Sequence, residues 1–176
     1  MAANWTAFVS GSVLTASELN GVVDNFADIA IFNETQASGT NGGSTATGSF
    51  IKRTLNTTVV NNITGCSIAS SVVTLPAGTY LMYASGPFYQ CAEVKIRLQN
   101  TTAATTIGFG TNQYPDPGVA CTVVSNVMTA TTLSVSSTVE LQYRAAAVRA
   151  GSGLGNSNGF GGNSEIYSQL VIVRIA

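Results

Sequence analysis

The chain has 176 residues, of which only 9% are charged, with a formal net charge of −1 and no histidine. That length suits one packed domain plus an appendage rather than two full domains. So few cations exclude the basic stripe that nucleic acid requires, and the missing histidine excludes Ser-His-Asp and Cys-His catalysis and histidine metal sites.

At the N-terminus, Met1-Ala-Ala-Asn-Trp5 has neither the positive region nor the apolar run of a signal peptide. No segment approaches the ~20 apolar residues that span a bilayer. Synthesis in a cytoplasm without secretory targeting, and no membrane insertion, are expected. Thr15-Ala-Ser-Glu18 has capping-box form, and Leu14 and Leu19 are placed as a hydrophobic staple across it. Leu19, Val22, Val23, Phe26, Ile29 and Ala30 then recur at helical spacing, which predicts an amphipathic helix over about residues 16–31. Residues 35–49 hold no aliphatic side chain larger than alanine and no aromatic, a composition that predicts a flexible linker. A docking segment, 1–34, and a domain, 50–176, are therefore expected.

From Phe50 onward, short β-prone runs alternate with turn clusters. Strands are predicted near 50–60, 66–75, 79–86, 92–100, 104–110, 120–128, 131–135, 138–147 and 166–175, which implies a sandwich, jelly roll or barrel. In 93–99, Val94, Ile96 and Leu98 alternate with Glu93, Lys95, Arg97 and Gln99, so this strand has one wet face. The last strand is apolar at both parities: Ile166, Leu170 and Ile172 on one, Tyr167, Val171, Val173 and Ile175 on the other. The run 78–84 repeats this, with Tyr80 and Met82 against Leu81 and Tyr83. One face of such a strand covers its own core; the other needs a second cover, from a subunit or from the N-terminal helix. Cys66, Cys91 and Cys121 are spaced too widely for a zinc site or a redox pair and are expected as small buried hydrophobes, with a Cys66 to Cys91 bridge as the alternative.

Leu75-Pro-Ala-Gly-Thr-Tyr-Leu81 resembles the strand-opening motif of C1q/TNF-like jelly rolls in phage proteins. The segments 94–100, 131–135, 139–143 and 166–175 follow in that family's order. The resemblance implies an all-β jelly-roll sandwich that forms a homotrimer with the last strand near the three-fold axis. Tyr80, Tyr83, Tyr143, Tyr167, Leu170, Val171 and Val173 are then the expected interface. Trp5, Phe8, Gly11 and Leu14-Thr-Ala-Ser-Glu-Leu-Asn20 resemble the opening of phage tail-fibre and minor tail proteins. That implies a virion protein docked on other phage structural proteins through Trp5, Phe8, Leu14, Leu19, Val22, Val23 and Phe26. A tail-associated fibre tip or receptor-binding protein and a capsid decoration protein are both open.

Chemistry has little foothold. The glycines of 151–155 and 159–162 match no phosphate-binding spacing, and no Asp-rich loop is present for calcium. Glu93 and Glu140 sit mid-strand near Lys95 and Arg144, as solvated partners rather than a glycosidase pair. Neither enzymatic activity nor a cofactor is expected. Two loops carry aromatic and amide side chains suited to a host-surface glycan or protein: Gln113, Tyr114 and Asp116 in one, Asn156, Asn158 and Phe160 in the other.

Overall fold

A computed structural model describes Thr15 and residues 28–175. Among these residues the strands in chain order are β1 (Ile29–Gln36), β2 (Ile51–Lys52), β3 (Thr57–Asn61), β4 (Ser67–Ala69), β5 (Val72–Leu75), β6 (Gly78–Tyr89), β7 (Val94–Asn100), β8 (Thr105–Phe109), β9 (Thr122–Leu133), β10 (Ser137–Ala145) and β11 (Glu165–Arg174). They form two antiparallel sheets. Sheet A has the order β3-β1-β11-β6-β9; sheet B has the order β4-β5-β10-β7-β8, with β2 also paired to β10. The facing sides interdigitate into one core that includes Phe32, Met82, Phe88, Ile96, Leu98, Leu141, Leu170 and Ile172, all fully buried. Each such side chain contributes roughly 1.5–3 kcal/mol on leaving water.

The strand pattern from residue 50 matches the expectation with three differences. The run 66–75 is a hairpin, because Ser70 and Ser71 both take positive φ (49° and 63°) and Ala69 pairs with Val72. Likewise 50–60 is interrupted, giving β2 and β3. By contrast 120–128 and 131–135 are one strand, β9, paired along its whole length with β6.

The N-terminal half of the expectation is corrected more deeply. The helical spacing over 16–31 includes residues 29–31, which instead open strand β1, an interior strand of sheet A between β3 and β11. Ile29-Ala-Ile-Phe32 is apolar at every position, so it satisfies a helical spacing and a two-sided strand equally. Here Ala30 and Phe32 enter the core and Ile29 and Ile31 face outward. Residues 16–27 lie outside the described residues, as do Trp5, Phe8, Leu14, Leu19, Val22, Val23 and Phe26.

Residues 35–49 are not a free linker either. β1 runs through Gln36, and the rest packs against the segment before β11: Gly42 N–H donates to Gly155 O, Leu154 N–H to Gly43 O and Thr45 N–H to Arg149 O. A Cβ on Gly42 would lie 2.5 Å from the Leu154 carbonyl oxygen. Small side chains serve close backbone contact here, and composition alone does not distinguish that use from flexibility. Residues 28–49 therefore belong to the sandwich together with 50–175.

A buried ion pair ties this N-terminal segment to both sheets. Arg53, just after β2, and Glu34, on β1, are 0% and 1% exposed, with Nη2 and Oε2 3.0 Å apart. Arg53 also donates to Ser168 Oγ of β11 (2.6 Å) and to the carbonyls of Leu154 (3.0 Å) and Pro87 (3.3 Å). Its guanidinium lies 5.6 Å from the centre of the Phe88 ring. Burial pushes the Glu34 carboxyl up and the Arg53 guanidinium down from their ordinary values, while their mutual attraction opposes both shifts.

Cys66 and Cys91 are buried free thiols, and burial pushes each up to about 11. No Cys66 to Cys91 bridge forms.

Candidate functional site

The outer side of sheet A is laid out in cross-strand rows. Ile29, Val173, Leu81 and Ala130 pair in succession across β1, β11, β6 and β9. The next row, Val60, Ile31, Val171, Tyr83 and Met128, crosses all five strands. Beyond it stands a polar row of Thr57, Asn33, Gln169, Ser85 and Asn126, in which Gln169 Nε2 donates to Asn33 Oδ1 (3.4 Å). Tyr83 bridges the two kinds of row by donating from its hydroxyl to Asn126 Oδ1 (2.8 Å). No charged residue stands in any of the three. Met128 is 71% exposed and Tyr83 41%, so this apolar surface meets solvent in the single chain.

Of the seven expected interface residues, Tyr83, Val171 and Val173 stand on this face and four do not. Tyr80 points into the core, its hydroxyl donating to Pro76 O (2.8 Å). Tyr143 packs on Phe88, with ring centres 6.1 Å apart. Leu170 is fully buried. Tyr167 is turned under the 37–45 segment, where its hydroxyl donates to Thr40 O (2.7 Å) and burial pushes it up to about 12.

The misassignment of Tyr167 has a local cause. Asn33 pairs with Gln169 and Thr35 with Ile166, so Tyr167 and Ser168 together oppose Glu34 alone. This bulge puts both residues inward and reverses the alternation along β11. Parity counted through it places Tyr167 on the wrong face. The extra inward residue, Ser168, is the one that receives the Arg53 bond.

The candidate recognition loops share one pole of the sandwich. Strand β6 starts beside Arg174 and ends at Tyr89, from which four residues lead to β7 at Val94. The 110–121 and 146–164 loops sit at that far pole, opposite Asp28 and Arg174. They do not form one site. Gln113 and Tyr114 line a groove of about 990 Å³ on the sheet B side. Asn158 and Phe160 line a separate hollow of about 210 Å³ beside Glu165. Asp116 caps its own turn, accepting from Gly118 N–H (2.7 Å), and Asn156 is exposed outside both hollows.

Glu165 organises the second loop. Its carboxylate accepts N–H bonds from Gly39 (3.0 Å), Gly159 (2.9 Å) and Asn158 (3.3 Å). These bonds, led by those from Gly39 and Gly159, hold it below the usual carboxylate range. Among the described residues, no three His, Cys, Asp or Glu side chains group as a metal site.

No protein-family model matches the sequence, and no curated protein matches it. Solved structures match by shape. The globular domain of zebrafish complement 1qA protein superposes with a TM-score of 0.54 at 10% identity, over 85% of this chain and 98% of that one. Murine APRIL gives 0.52 at 9% identity, over 83% and 98%. Eiger TNF from S. frugiperda gives 0.56 at 14% identity, over 84% and 92%. The fold is therefore the C1q/TNF-like jelly roll.

Proposed function

We propose that the protein is a homotrimeric, non-enzymatic structural module of a bacteriophage virion, assembled through the outer face of sheet A. The observation that carries this reading is the pair of apolar rows across sheet A, uncharged and open to solvent in the single chain. A surface of that kind on a soluble protein marks an interaction site. A homotrimer is also what the sequence resemblance to C1q/TNF-like phage domains implies.

The place in the particle is tail-associated, as fibre tip or receptor-binding protein, on the resemblance of residues 5–20 to tail-protein openings. Chain direction supports it: Asp28, at the start of the described sandwich, stands at the pole opposite the candidate recognition loops. A capsid decoration role is the second reading, favoured by a surface poor in charge and rich in hydroxyl and amide groups, as suits a protein covered by neighbours.

Light scattering tests the assembly. The protein should have three times the chain mass of 18.1 kDa, and Val171→Asp should yield a folded monomer. A monomeric parent, or a Val171→Asp variant that stays trimeric, overturns the reading. Copy number in purified particles tests the location. A few copies indicate the tail, copies on the scale of the capsid lattice indicate decoration, and absence from particles ends the virion role.

A further inference from the structure

Four of the seven lysines and arginines, Lys52, Lys95, Arg97 and Arg144, lie on the outer face of sheet B. Two are settled. Lys52 donates to Ser70 O (2.7 Å), and Arg97 donates to Gln142 Oε1 (2.8 Å) and Thr106 Oγ1 (3.1 Å) while stacking 4.1 Å from the Phe50 ring centre. Lys95 and Arg144 are different. They are direct cross-strand partners in the β7 and β10 pairing, a like-charge placement that costs stability. Among the described residues the only ion pair is that of Glu34 and Arg53, so neither cation has a carboxylate within 4.0 Å.

Both line the 990 Å³ groove at the far pole. Its walls include Phe109 and Tyr114, each 57% exposed, with the Lys95 ammonium 5.3 Å from the centre of the Phe109 ring. Asn112, Gln113 and Glu93 supply amide and carboxylate groups along the same groove. Two cations without a carboxylate partner call for an anion. Open aromatic faces call for a flat surface of C–H groups, which a pyranose presents, and amides pair with its hydroxyls. Glu93 repels a densely charged polyanion and accepts hydroxyl protons, which selects a ligand with spaced carboxylates over nucleic acid or an acidic peptide.

We infer that this groove binds an acidic oligosaccharide, with a sugar carboxylate held between Lys95 and Arg144 and a ring face laid against Tyr114. The inference gives the proposed attachment role a ligand class, but the groove belongs to one protomer and to the sheet that faces away from the trimer surface. Calorimetric titration of the full chain with trigalacturonate, 3′-sialyllactose, lactose and an oligo-aspartate peptide tests it. At least one acidic sugar should bind, more weakly as salt rises, with lactose weaker by about tenfold or more. Arg144→Gln and Lys95→Gln should each weaken the acidic sugar by about tenfold without lowering the unfolding midpoint, and Tyr114→Ala should weaken it too. Equal binding of lactose, tighter binding of an oligo-aspartate peptide, unchanged binding by Arg144→Gln, or no binding of either acidic sugar each overturns the inference. Light scattering on the same samples reads assembly separately, so a monomer that binds the sugar removes the trimer and leaves the groove.

Discussion

The outer faces of the two sheets are both made of alternating strands, yet they are finished in opposite ways. Sheet A presents Ile29, Ile31, Val171, Val173, Leu81, Tyr83 and Met128 with no charge among them. Sheet B presents Lys95, Arg97, Glu140 and Arg144, laced with Gln99 and Gln142. A chain with so few charged residues has placed most of its cations on one side, and that asymmetry separates a surface fit for burial from one fit for water and polar ligands. Alternation within each strand keeps a single core between them.

The sharpest way to break this contrast uses adjacent residues on β11. Leu170 is fully buried and Val171 lies outside it. Leu170→Asp loses a core side chain, which alone costs about 2–5 kcal/mol, and adds an unpaired buried charge. It should abolish the cooperative unfolding transition seen by circular dichroism. Val171→Asp should keep that transition and change only the mass. If both behave alike, the two faces of sheet A are not distinct.

The seam between the sheets comes next. Arg53→Met leaves Glu34 buried without its cation, and urea unfolding should show a loss of about 3–5 kcal/mol. Replacing both members, Glu34→Leu with Arg53→Met, should recover much of it, because the charge left unpaired is the main cost.

Sheet B makes a smaller prediction with the opposite sign. Relieving the Lys95 and Arg144 juxtaposition with Arg144→Gln should raise stability without ligand by roughly 0.2–1 kcal/mol, measured by the same unfolding. A loss instead would mean that Arg144 has a structural partner.

The smallest effect lies in the loop held by Glu165. Its folded carboxyl sits below the unfolded value of about 4.3, so its contribution is present above that pH and fades as pH falls through the lower folded value. Protection of the Gly39 and Gly159 amides, read by NMR as the exchange rate relative to the intrinsic rate at each pH, should fall over that acid range, and Glu165→Gln should lower it at neutral pH.

Legibility in the sequence follows how local the governing interaction is. The alternation of β7, the apolar character of β6 and β11 at both parities and the strands after residue 50 were readable, because period-two burial is written into neighbouring residues. The fold class was readable with them. Face assignments along β11 failed at Tyr167 because the bulge there lies opposite Glu34 and its Ser168 accepts from Arg53, both more than a hundred residues away in the chain. β1 was missed because four consecutive apolar residues fit either period. The 37–49 segment was misread because Gly42 and Thr45 are small for the sake of a distant backbone, the 149–155 turn. The groove was half visible: Gln113 and Tyr114 stood out by composition, but Lys95 and Arg144 become a pair only through the β7 and β10 register.

The neighbouring ends of β1 and β11 set how the domain carries load. Arg174 N–H donates to Asp28 O (2.9 Å) and Ile175 N–H to Thr79 O (2.8 Å), so the start of β1 and the end of β11 lie side by side on antiparallel strands. A force that separates those two ends would unzip one hydrogen bond at a time, each worth only about 1 kcal/mol. A force between the N-terminal strand and the far pole runs along β1, between β3 and β11, and loads both ladders at once in shear. If this protein hangs from a particle by residues before Asp28 and is pulled at the loops near Tyr114, it is pulled along its stiff direction.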